Sequence, residues 1–447
     1  MNPLGWMRAP EESLAQWDEY VALAAAVRAD GLTRTLVCGM GGSSLVANVL
    51  AETFGARDLH VLDSTNPQAV EAAGTGAELA RTLFVVSSKS GNTVETLAFC
   101  HYFAARARPE QFIAITETGS PLDRIARARG FRAVIPHPTD VGGRYSALTT
   151  VGMVPAALAE IDGRTLLERA RRTDIAAAKI LGVNIAAMAK SGVDKLRLTP
   201  PPRLGALAYW VEQLIAESSG KDGRGVVPIV DDPASGTLPD MQTLDAKAFS
   251  PDPLDLGAEF LRWEYATVAL CEGLGVNAFD QPDVEEAKRL ARAELDGARG
   301  GVGAQHAASL PTLTLSQLRK QARPGDYFAI LAYVPPTPEV FAQLQQVRAA
   351  WGEALGCATT LGFGPRYLHS TGQLHKGGPH SGLFLVITTD IGYDLDIPEM
   401  GWTFGQLHHA QARGDVRALL ARGRRVAHVH LSGPAEIPQL RPPPARL

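Results

Sequence analysis

Two stretches of the sequence gather small hydroxyl side chains and glycine at the end of an apolar run. In VCGMGGSS, residues 37–44, the run stops at Gly42 and Ser43. In FVVSSKSGNTVET, residues 84–96, it stops in a cluster of donors made of Ser88, Lys89, Ser90, Thr93 and Thr96. Many short donors and one cation suit a dianionic phosphomonoester, and glycine lets the backbone approach it closely. The alternative is helix capping, but a cap needs one hydroxyl and not four.

The first stretch falls short of the two common nucleotide-binding patterns. Ser44 stands where the dinucleotide fingerprint G-x-G-x-x-G has its third glycine, and no G-K-[ST] sequence closes a P-loop. Taken alone, the stretch could be an ordinary strand-to-helix turn. Because ligands of open parallel sheets bind beyond the carboxyl ends of strands, two such stretches together favour a phosphate site.

The elements that must position these residues alternate between strand and helix. Strand-like runs at 35–40, 59–64, 83–88, 112–117 and 132–136 are separated by stretches with helical spacing. This alternation is typical of an α/β protein whose parallel sheet is covered by helices on both faces, as in Rossmann-like domains.

Three regions are expected along the chain. They are residues 1–152, with N-terminal helices and the first α/β domain; residues 153–326, with a helical connector and a second α/β domain; and residues 327–447, a C-terminal α/β segment packed into the second domain. The segment 234–256 is predicted to be a loop, and the proline-rich tail from residue 433 is predicted to be disordered.

Composition narrows the class of protein. Of 447 residues, 45% are hydrophobic and 20% are charged, which is typical of a globular protein. The 43 basic and 47 acidic residues give a net charge of −4 and no electrostatic reason to expect nucleic acid or a membrane surface as a partner. The four cysteines are scattered singly, and no signal peptide is visible, so we expect a cytoplasmic protein with reduced thiols.

Several motifs, in one order, resemble a known family. GMGGSS and SSKSGNTVET are similar to the phosphate-binding segments of sugar-isomerase (SIS) domains, and more closely of the glucose-6-phosphate isomerase family. DVGGRYSAL (140–148) resembles the family's first signature, ESSGK (217–221) its catalytic-glutamate motif and FDQPDVEEAK (279–288) its second signature. GFGPRYLHSTGQLHKGGP (362–379) resembles the isomerase half of transaldolase–glucose-6-phosphate isomerase fusion proteins, without the transaldolase half.

This resemblance implies two SIS domains and an aldose–ketose isomerase. The enzyme would interconvert glucose 6-phosphate and fructose 6-phosphate through a cis-enediolate, in glycolysis and gluconeogenesis. The substrate would be a small sugar phosphate, and no metal or cofactor would be needed. The resemblance also implies a homodimer whose active sites are shared between the subunits.

The resemblance also assigns roles to residues. Glu217 would be the base that moves the proton between C2 and C1, and Arg144 would stabilise the enediolate. Lys288 would assist at the ring oxygen, and Gln281 would bind the sugar. Each has a plainer alternative: a solvated helix glutamate, an arginine that caps a turn, or a solvated lysine on a Glu-rich helix.

The sequence departs from the family pattern at two places. Asp283 stands where the second signature normally has glycine. The family's ring-opening histidine is also missing between Glu217 and Lys288, a stretch that contains no histidine. His375, in the later Gly-rich segment, is the best remaining candidate for ring opening, and a purely structural role for it is the alternative.

Three other functions could use an SIS domain. A bifunctional phosphoglucose/phosphomannose isomerase would have the same domain and chemistry. A non-catalytic SIS protein that senses sugar phosphates would need an output domain, and no helix-turn-helix or basic patch is apparent. An amidotransferase-type glucosamine-phosphate synthase would need a glutaminase domain with an N-terminal cysteine, and the N-terminus has neither.

Overall fold

Parallel strands alternate with helices in the computed structural model, which describes residues 3–233, 236–283, 289–290, 292, 295 and 310–443. The strands of this part of the chain are β1 (Arg34–Gly39), β2 (Leu59–Leu62), β3 (Thr82–Ser87), β4 (Phe112–Thr116), β5 (Ala133–Pro136), β6 (Lys195–Leu198), β7 (Val227–Ile229), β8 (Met241–Leu244), β9 (Tyr327–Tyr333), β10 (Ala358–Phe363), β11 (Gly382–Thr389), β12 (Asp396–Ile397), β13 (Trp402–Thr403) and β14 (Arg425–Leu431).

Helices cover these strands. Over the same residues they are α1 (Ala9–Ala29), α2 (Gly42–Phe54), α3 (Pro67–Ala73), α4 (Gly76–Ala80), α5 (Val94–Ala104), α6 (Pro121–Arg129), α7 (Thr150–Leu158), α8 (Gly163–Ala170), α9 (Ile175–Lys190), α10 (Gly205–Ser219), α11 (Leu256–Leu274), α12 (Leu315–Lys320), α13 (Pro338–Leu355), α14 (Gly372–Gly377) and α15 (Phe404–Ala421). Among the described helices, none is long and apolar enough to cross a membrane.

The first sheet has the strand order β2-β1-β3-β4-β5, and all its neighbouring strands are parallel. All residues of β1 and β3 are buried, which explains the apolar runs 36–38 and 83–86 at their centres. Gly39 at the end of β1 lies opposite Ser87 at the end of β3. The two hydroxyl-rich stretches therefore leave the sheet side by side, and α2 and α5 begin directly after them.

The second half of the chain forms two further parallel sheets in the described residues, with strand orders β7-β6-β8 and β10-β9-β11-β14. They share a core in which Val227 and Ile229 of β7 pack with Leu331 of β9 and Phe384 of β11. Parallel sheets covered by helices are thus confirmed as the fold class. The expected domain boundaries stay a prediction.

Two expectations about irregular segments are wrong. Segment 234–256 contains strand β8, which pairs with β6. The tail forms a 3₁₀ helix over Pro434–Leu440, with Ile437 and Leu440 buried. The indole Nε1 of Trp351 donates a hydrogen bond of 2.8 Å to the carbonyl oxygen of Leu440. Residues 444–447 lie outside the described range.

Two helices, α10 and α15, connect the N-terminal and C-terminal halves of the chain. Helix α10, which carries the ESSGK motif, is almost entirely buried and packs against α2, α11 and α14. Helix α15 packs next to α5 of the first sheet, where the Phe404 ring stacks on Phe99 with centroids 6.0 Å apart. Side chains from the far C-terminal region therefore lie next to α5.

Candidate active site

A cleft of about 280 Å³ opens at the edge of the first sheet where β1 and β3 end. Nine of the sequence-predicted site residues line it: Gly42, Ser43, Ser88, Lys89, Ser90, Thr93, Arg144, Glu217 and Gln281. Two others, Thr96 and His375, lie elsewhere, and Lys288 falls outside the described residues.

One end of the cleft is rich in hydroxyl groups. Ser88 Oγ lies 2.9 Å from Thr93 Oγ1 and accepts a hydrogen bond of 3.2 Å from the backbone N–H of Gly91. Lys89 Nζ donates to the carbonyl oxygen of Thr139 at 3.2 Å. The beginnings of α2 and α5 add the positive ends of two helix dipoles. Glu117 also lines the cleft, with Oε1 3.7 Å from Lys89 Nζ, so the hydroxyls and the helix N-termini are the main groups here that suit an anion.

A glycine contact joins this end of the cleft to the loop that carries Arg144. A Cβ atom added at Gly42 would lie 2.1 Å from the carbonyl oxygen of Gly143, which is far inside van der Waals contact. The two backbones can approach this closely only because position 42 has no side chain.

Thr96 does not belong to the cleft, which corrects its assignment to the phosphate site. It lies inside helix α5 and is fully buried. Its hydroxyl has no hydrogen-bond partner among the described residues. Thr93, at the N-terminus of the helix, faces the cleft, whereas a residue three positions later is already inside the first turns.

Arg144 and Glu217 form the other end of the cleft. Arg144 Nη1 lies 3.1 Å from Glu217 Oε1, and both side chains are largely buried. Gln213, one helical turn before Glu217 on α10, donates from Nε2 to Glu217 Oε2 at 3.0 Å. The Glu217 carboxylate is therefore held at both oxygens, Oε1 by the Arg144 guanidinium and Oε2 by the Gln213 amide.

The guanidinium of Arg144 is saturated with further acceptors. They are Ser218 Oγ at 2.8 Å, Gln281 Oε1 at 2.7 Å, the Ala278 carbonyl oxygen at 2.7 Å and the Asp280 carbonyl oxygen at 3.1 Å. A guanidinium keeps its charge when it is buried, and its planar fork can serve several acceptors at once. Arg144 is thus a fixed cation that also orders the loop carrying Gln281.

Lys221, the last residue of the ESSGK motif, supports the same loop and was not singled out from the sequence. Its ammonium donates to Asp280 Oδ1 at 2.7 Å and also to the Asn277 carbonyl oxygen. Burial lowers the pKa of Lys221, and the hydrogen bond from the ammonium to Asp280 opposes that effect. The motif itself was the signal that could have identified this anchor.

The histidine of the cleft is His369 and not His375. His369 Nε2 lies 2.8 Å from Glu95 Oε1, and its carbonyl oxygen accepts from Gln213 Nε2 at 2.8 Å. His375 is on α14, fully buried behind the cleft, with Nδ1 3.0 Å from the Tyr327 hydroxyl. Burial lowers the pKa of His375 well below its usual value. The assignment of ring opening to His375 is therefore corrected.

A signal for His369 was present in the sequence. His369 follows strand β10 and precedes α14. That is the same strand-to-helix position that identified the hydroxyl-rich stretches, and it is where parallel sheets bind ligands. Glu95 carried no comparable signal, because only the fold brings it next to His369, which is 274 positions away in the sequence.

The structure also explains why Asp283 is tolerated where glycine is expected. Its side chain accepts from Gln373 Nε2 at 2.6 Å and pairs with Arg422 Nη2 at 2.6 Å. Both partners come from the C-terminal region, and together they balance the charge and satisfy the hydrogen bonds of the buried Asp283 carboxylate.

No metal centre is seen in the described part of the chain, where no group of three or more His, Cys, Asp or Glu side chains is placed to hold an ion. On strand β14, His428 Nε2 and His430 Nδ1 both lie within hydrogen-bond distance of Thr388 Oγ1, at 3.0 and 2.9 Å.

Comparisons with known proteins relate this chain to one group of enzymes by sequence and fold. No family model matches the chain. Curated glucose-6-phosphate isomerases are similar: that of Trichormus variabilis is 34% identical over 227 residues, 44% of this chain and 41% of the relative. That of Citrifermentans bemidjiense is 35% identical over 268 residues, half of each chain. The chain thus spans about half the length of the curated relatives it matches.

A solved structure shares the fold. The crystal structure of a glucose-6-phosphate isomerase from Chlamydia trachomatis matches with a TM-score of 0.50 and 20% identity, over 66% of this chain and 76% of that one. The closer likeness to the isomerase half of transaldolase fusions stays a prediction. The chain is therefore related in sequence to glucose-6-phosphate isomerases over about half of its length, and it has the α/β fold of one of them.

Proposed function

We propose that this protein is an aldose–ketose isomerase that interconverts glucose 6-phosphate and fructose 6-phosphate. The observation that carries the proposal is one cleft with hydroxyls and a lysine at one end and the Arg144–Glu217 pair at the other. The curated relatives bear the name of this activity. The hexose-phosphate step of glycolysis and gluconeogenesis, in the cytoplasm, is the corresponding place in metabolism.

In this proposal the phosphate binds at Ser43, Ser88, Lys89, Ser90 and Thr93. The hydroxyls donate hydrogen bonds to its oxygens, and the ammonium and two helix N-termini balance its charge. The anchored phosphate holds the carbon chain, so that its far end lies beside Glu217.

Proton transfer then needs one base and one cation. Glu217 takes the proton from C2 of the open-chain aldose and returns it to C1, and the hydroxyl proton on the C2 oxygen moves to the C1 oxygen. The aldose thereby becomes the ketose without net gain or loss of atoms. The negative charge of the intermediate cis-enediolate develops on the oxygens of C1 and C2. Arg144 lies beside the reacting carbons and stabilises that charge; because all its N–H groups are engaged in the described structure, one Nη1–H is released from Gln281 or Glu217 to bind the enediolate oxygen.

Ring opening is assigned to His369 in place of His375. Its Nε2–H donates to the Glu95 carboxylate, so Nδ1 is the nitrogen that can exchange a proton with the sugar. Lys288 and Gln281 remain part of the proposal, with Lys288 at the ring oxygen and Gln281 on the sugar hydroxyls.

The test is a coupled assay with glucose 6-phosphate, fructose 6-phosphate and mannose 6-phosphate, with EDTA present. We expect interconversion of the first two, and Glu217→Gln should lower turnover on the order of 10²–10⁴-fold with little loss of binding. Exchange of the C2 proton with deuterated solvent should stop in that variant.

Each contrary outcome has its own meaning. Turnover of mannose 6-phosphate as well would favour the bifunctional phosphoglucose/phosphomannose isomerase. Sugar-phosphate binding without turnover would favour the non-catalytic sensor. Solvent exchange that persists in Glu217→Gln would remove Glu217 from its role as base.

A further inference from the structure

A second donor holds the carboxylate that binds His369. Glu95 Oε1 accepts a hydrogen bond of 2.6 Å from Gln411 Nε2, in addition to its contact of 2.8 Å with His369 Nε2. Gln411 lies on helix α15, far from Glu95 in sequence, and both side chains are buried at 3% exposure. A buried carboxylate with two donors on one oxygen has a strongly fixed direction.

The hydrogen bonds continue behind Gln411. Thr65 Oγ1 lies 2.9 Å from Gln411 Oε1 and 3.0 Å from His408 Nδ1. Thr65 and His408 are buried as well. The four residues Glu95, Gln411, Thr65 and His408, here named the buried relay, therefore run from the first domain into α15.

The direction of every donor in the buried relay follows from the carboxylate. Glu95 can only accept, so the Gln411 amide must present its Nε2 to it and its Oε1 to Thr65. Thr65 then donates its one hydroxyl proton to Gln411 and must accept from His408 Nδ1–H. Burial lowers the pKa of His408 to about 3, so its ring is neutral and carries the single proton that this arrangement needs.

We propose that Gln411 and Thr65, backed by His408, are positioning residues that orient Glu95 so that His369 keeps its proton on Nε2. This inference rests on the proposed function, in which Nδ1 of His369 exchanges a proton with the sugar ring. Without the relay, the Glu95 carboxylate could rotate away from the imidazole, and His369 would populate both tautomers. Only one of the two tautomers presents a basic Nδ1.

The key variant is Gln411→Leu, which keeps a similar volume and removes the donor. For glucose 6-phosphate we expect kcat to fall about 10-fold or more, by analogy with the loss seen when the hydrogen-bond partner that orients a metal-bound histidine is removed. Affinity for an acyclic hydroxamate analogue of the enediolate should be nearly unchanged, because that analogue needs no ring opening. Thr65→Val should act in the same direction, and Thr65→Ser, which keeps the hydroxyl, should restore most of the rate.

A matched control is available at Thr267. It is also a buried threonine, but its hydroxyl has no hydrogen-bond partner among the described residues. Thr267→Val therefore makes the same atomic change as Thr65→Val outside the relay, and it should leave kcat unchanged.

A spectroscopic readout separates this inference from the proposed function. In protein with ¹⁵N-labelled histidine, the ring signals of His369, assigned by their loss in His369→Ala, should show the Nε2–H tautomer. Gln411→Leu and Thr65→Val should shift those signals toward a mixture. This measurement does not depend on turnover, so an inactive wild type would overturn the proposed function and leave the relay testable.

Two results would overturn the relay. One is an unchanged His369 tautomer in both variants. The other is a loss of activity in Thr267→Val equal to that in Thr65→Val, which would mean that the loss reflects packing alone. If Gln411→Leu does not fold, the pair Thr65→Val and Thr65→Ser decides the question.

Discussion

Arg144 shows how one side chain can serve both the chemistry and the structure of the site. Its guanidinium contacts Glu217 and also binds the loop 278–281 that carries Gln281. Each of these contacts depends on the planar fork of donors, which a lysine ammonium does not have.

We therefore expect Arg144→Lys to impair catalysis although it keeps the charge. Losing one oriented donor at a developing oxyanion costs about 3–4 kcal/mol of transition-state stabilisation. The measurement is kcat/KM for fructose 6-phosphate, with the thermal unfolding temperature recorded for both proteins. A near-normal kcat/KM would show that the charge alone is sufficient.

At the level of secondary structure, the elements of the first sheet could be predicted from sequence almost to the residue. The inner strands β1, β3 and β4 are fully buried, have apolar centres, and end in Gly39, Ser87 and Thr116. The outer strands β2 and β5 are only partly buried. Strand β8 was missed because it lies among Pro, Asp and Ser residues that are typical of loops. Its pairing with β6 is a tertiary interaction that local composition does not encode.

The residues of the candidate site also divide into those that lie in local sequence motifs and those whose partners are distant in the chain. Ser88, Arg144 and Glu217 lie in local motifs, so the sequence alone identified them. Glu95 and Gln411 act through partners that are far away in the chain, and only the packing of α15 on α5 brings them to His369. Sequence reasoning assigned ring opening to His375, in the same Gly-rich segment as His369, but only the fold shows that His375 is buried and that His369 lines the cleft.

Helix α14 gives a prediction about stability in acid. His375 is neutral in the fold because burial lowers its pKa, whereas in the unfolded chain it takes up a proton below about pH 6.5. The unfolded state then binds more protons than the native state, so stability falls as the pH falls through that value. Between about pH 7.5 and pH 5, this one group should cost about 2 kcal/mol of unfolding free energy.

The variant that tests this is His375→Asn, which can still meet the Tyr327 hydroxyl but does not titrate. Urea denaturation at both pH values should show that wild type loses more stability than the variant. His430→Asn, which removes an exposed imidazole, is the control and should follow wild type. Parallel pH dependence of wild type and His375→Asn would contradict the prediction.

For the whole molecule, the open question is how the cleft relates to a second subunit. The resemblance in sequence implies a homodimer with shared sites, whereas His369 lies in the same cleft as Arg144 and Glu217 of its own chain. We therefore expect the ring-opening histidine to act within one chain.

Mixing two inactive variants checks this expectation. Glu217→Gln and His369→Ala each inactivate the cleft of the chain that carries them. If both residues act within one chain, unfolding and refolding the two variants together should restore no activity. If active sites combined residues of both subunits, hybrid dimers would recover up to about a quarter to a half of the sites, depending on how the subunits pair. Recovery of turnover would return the histidine to the partner subunit.

The contact between Gly42 and Gly143 has a consequence for which sugars fit. Two main chains touch there, so the position of the Arg144 loop relative to the start of α2 is set by backbone geometry. In the proposed reaction the cleft therefore selects sugars by the number of carbons between the phosphate ester and the carbon that gives up its proton.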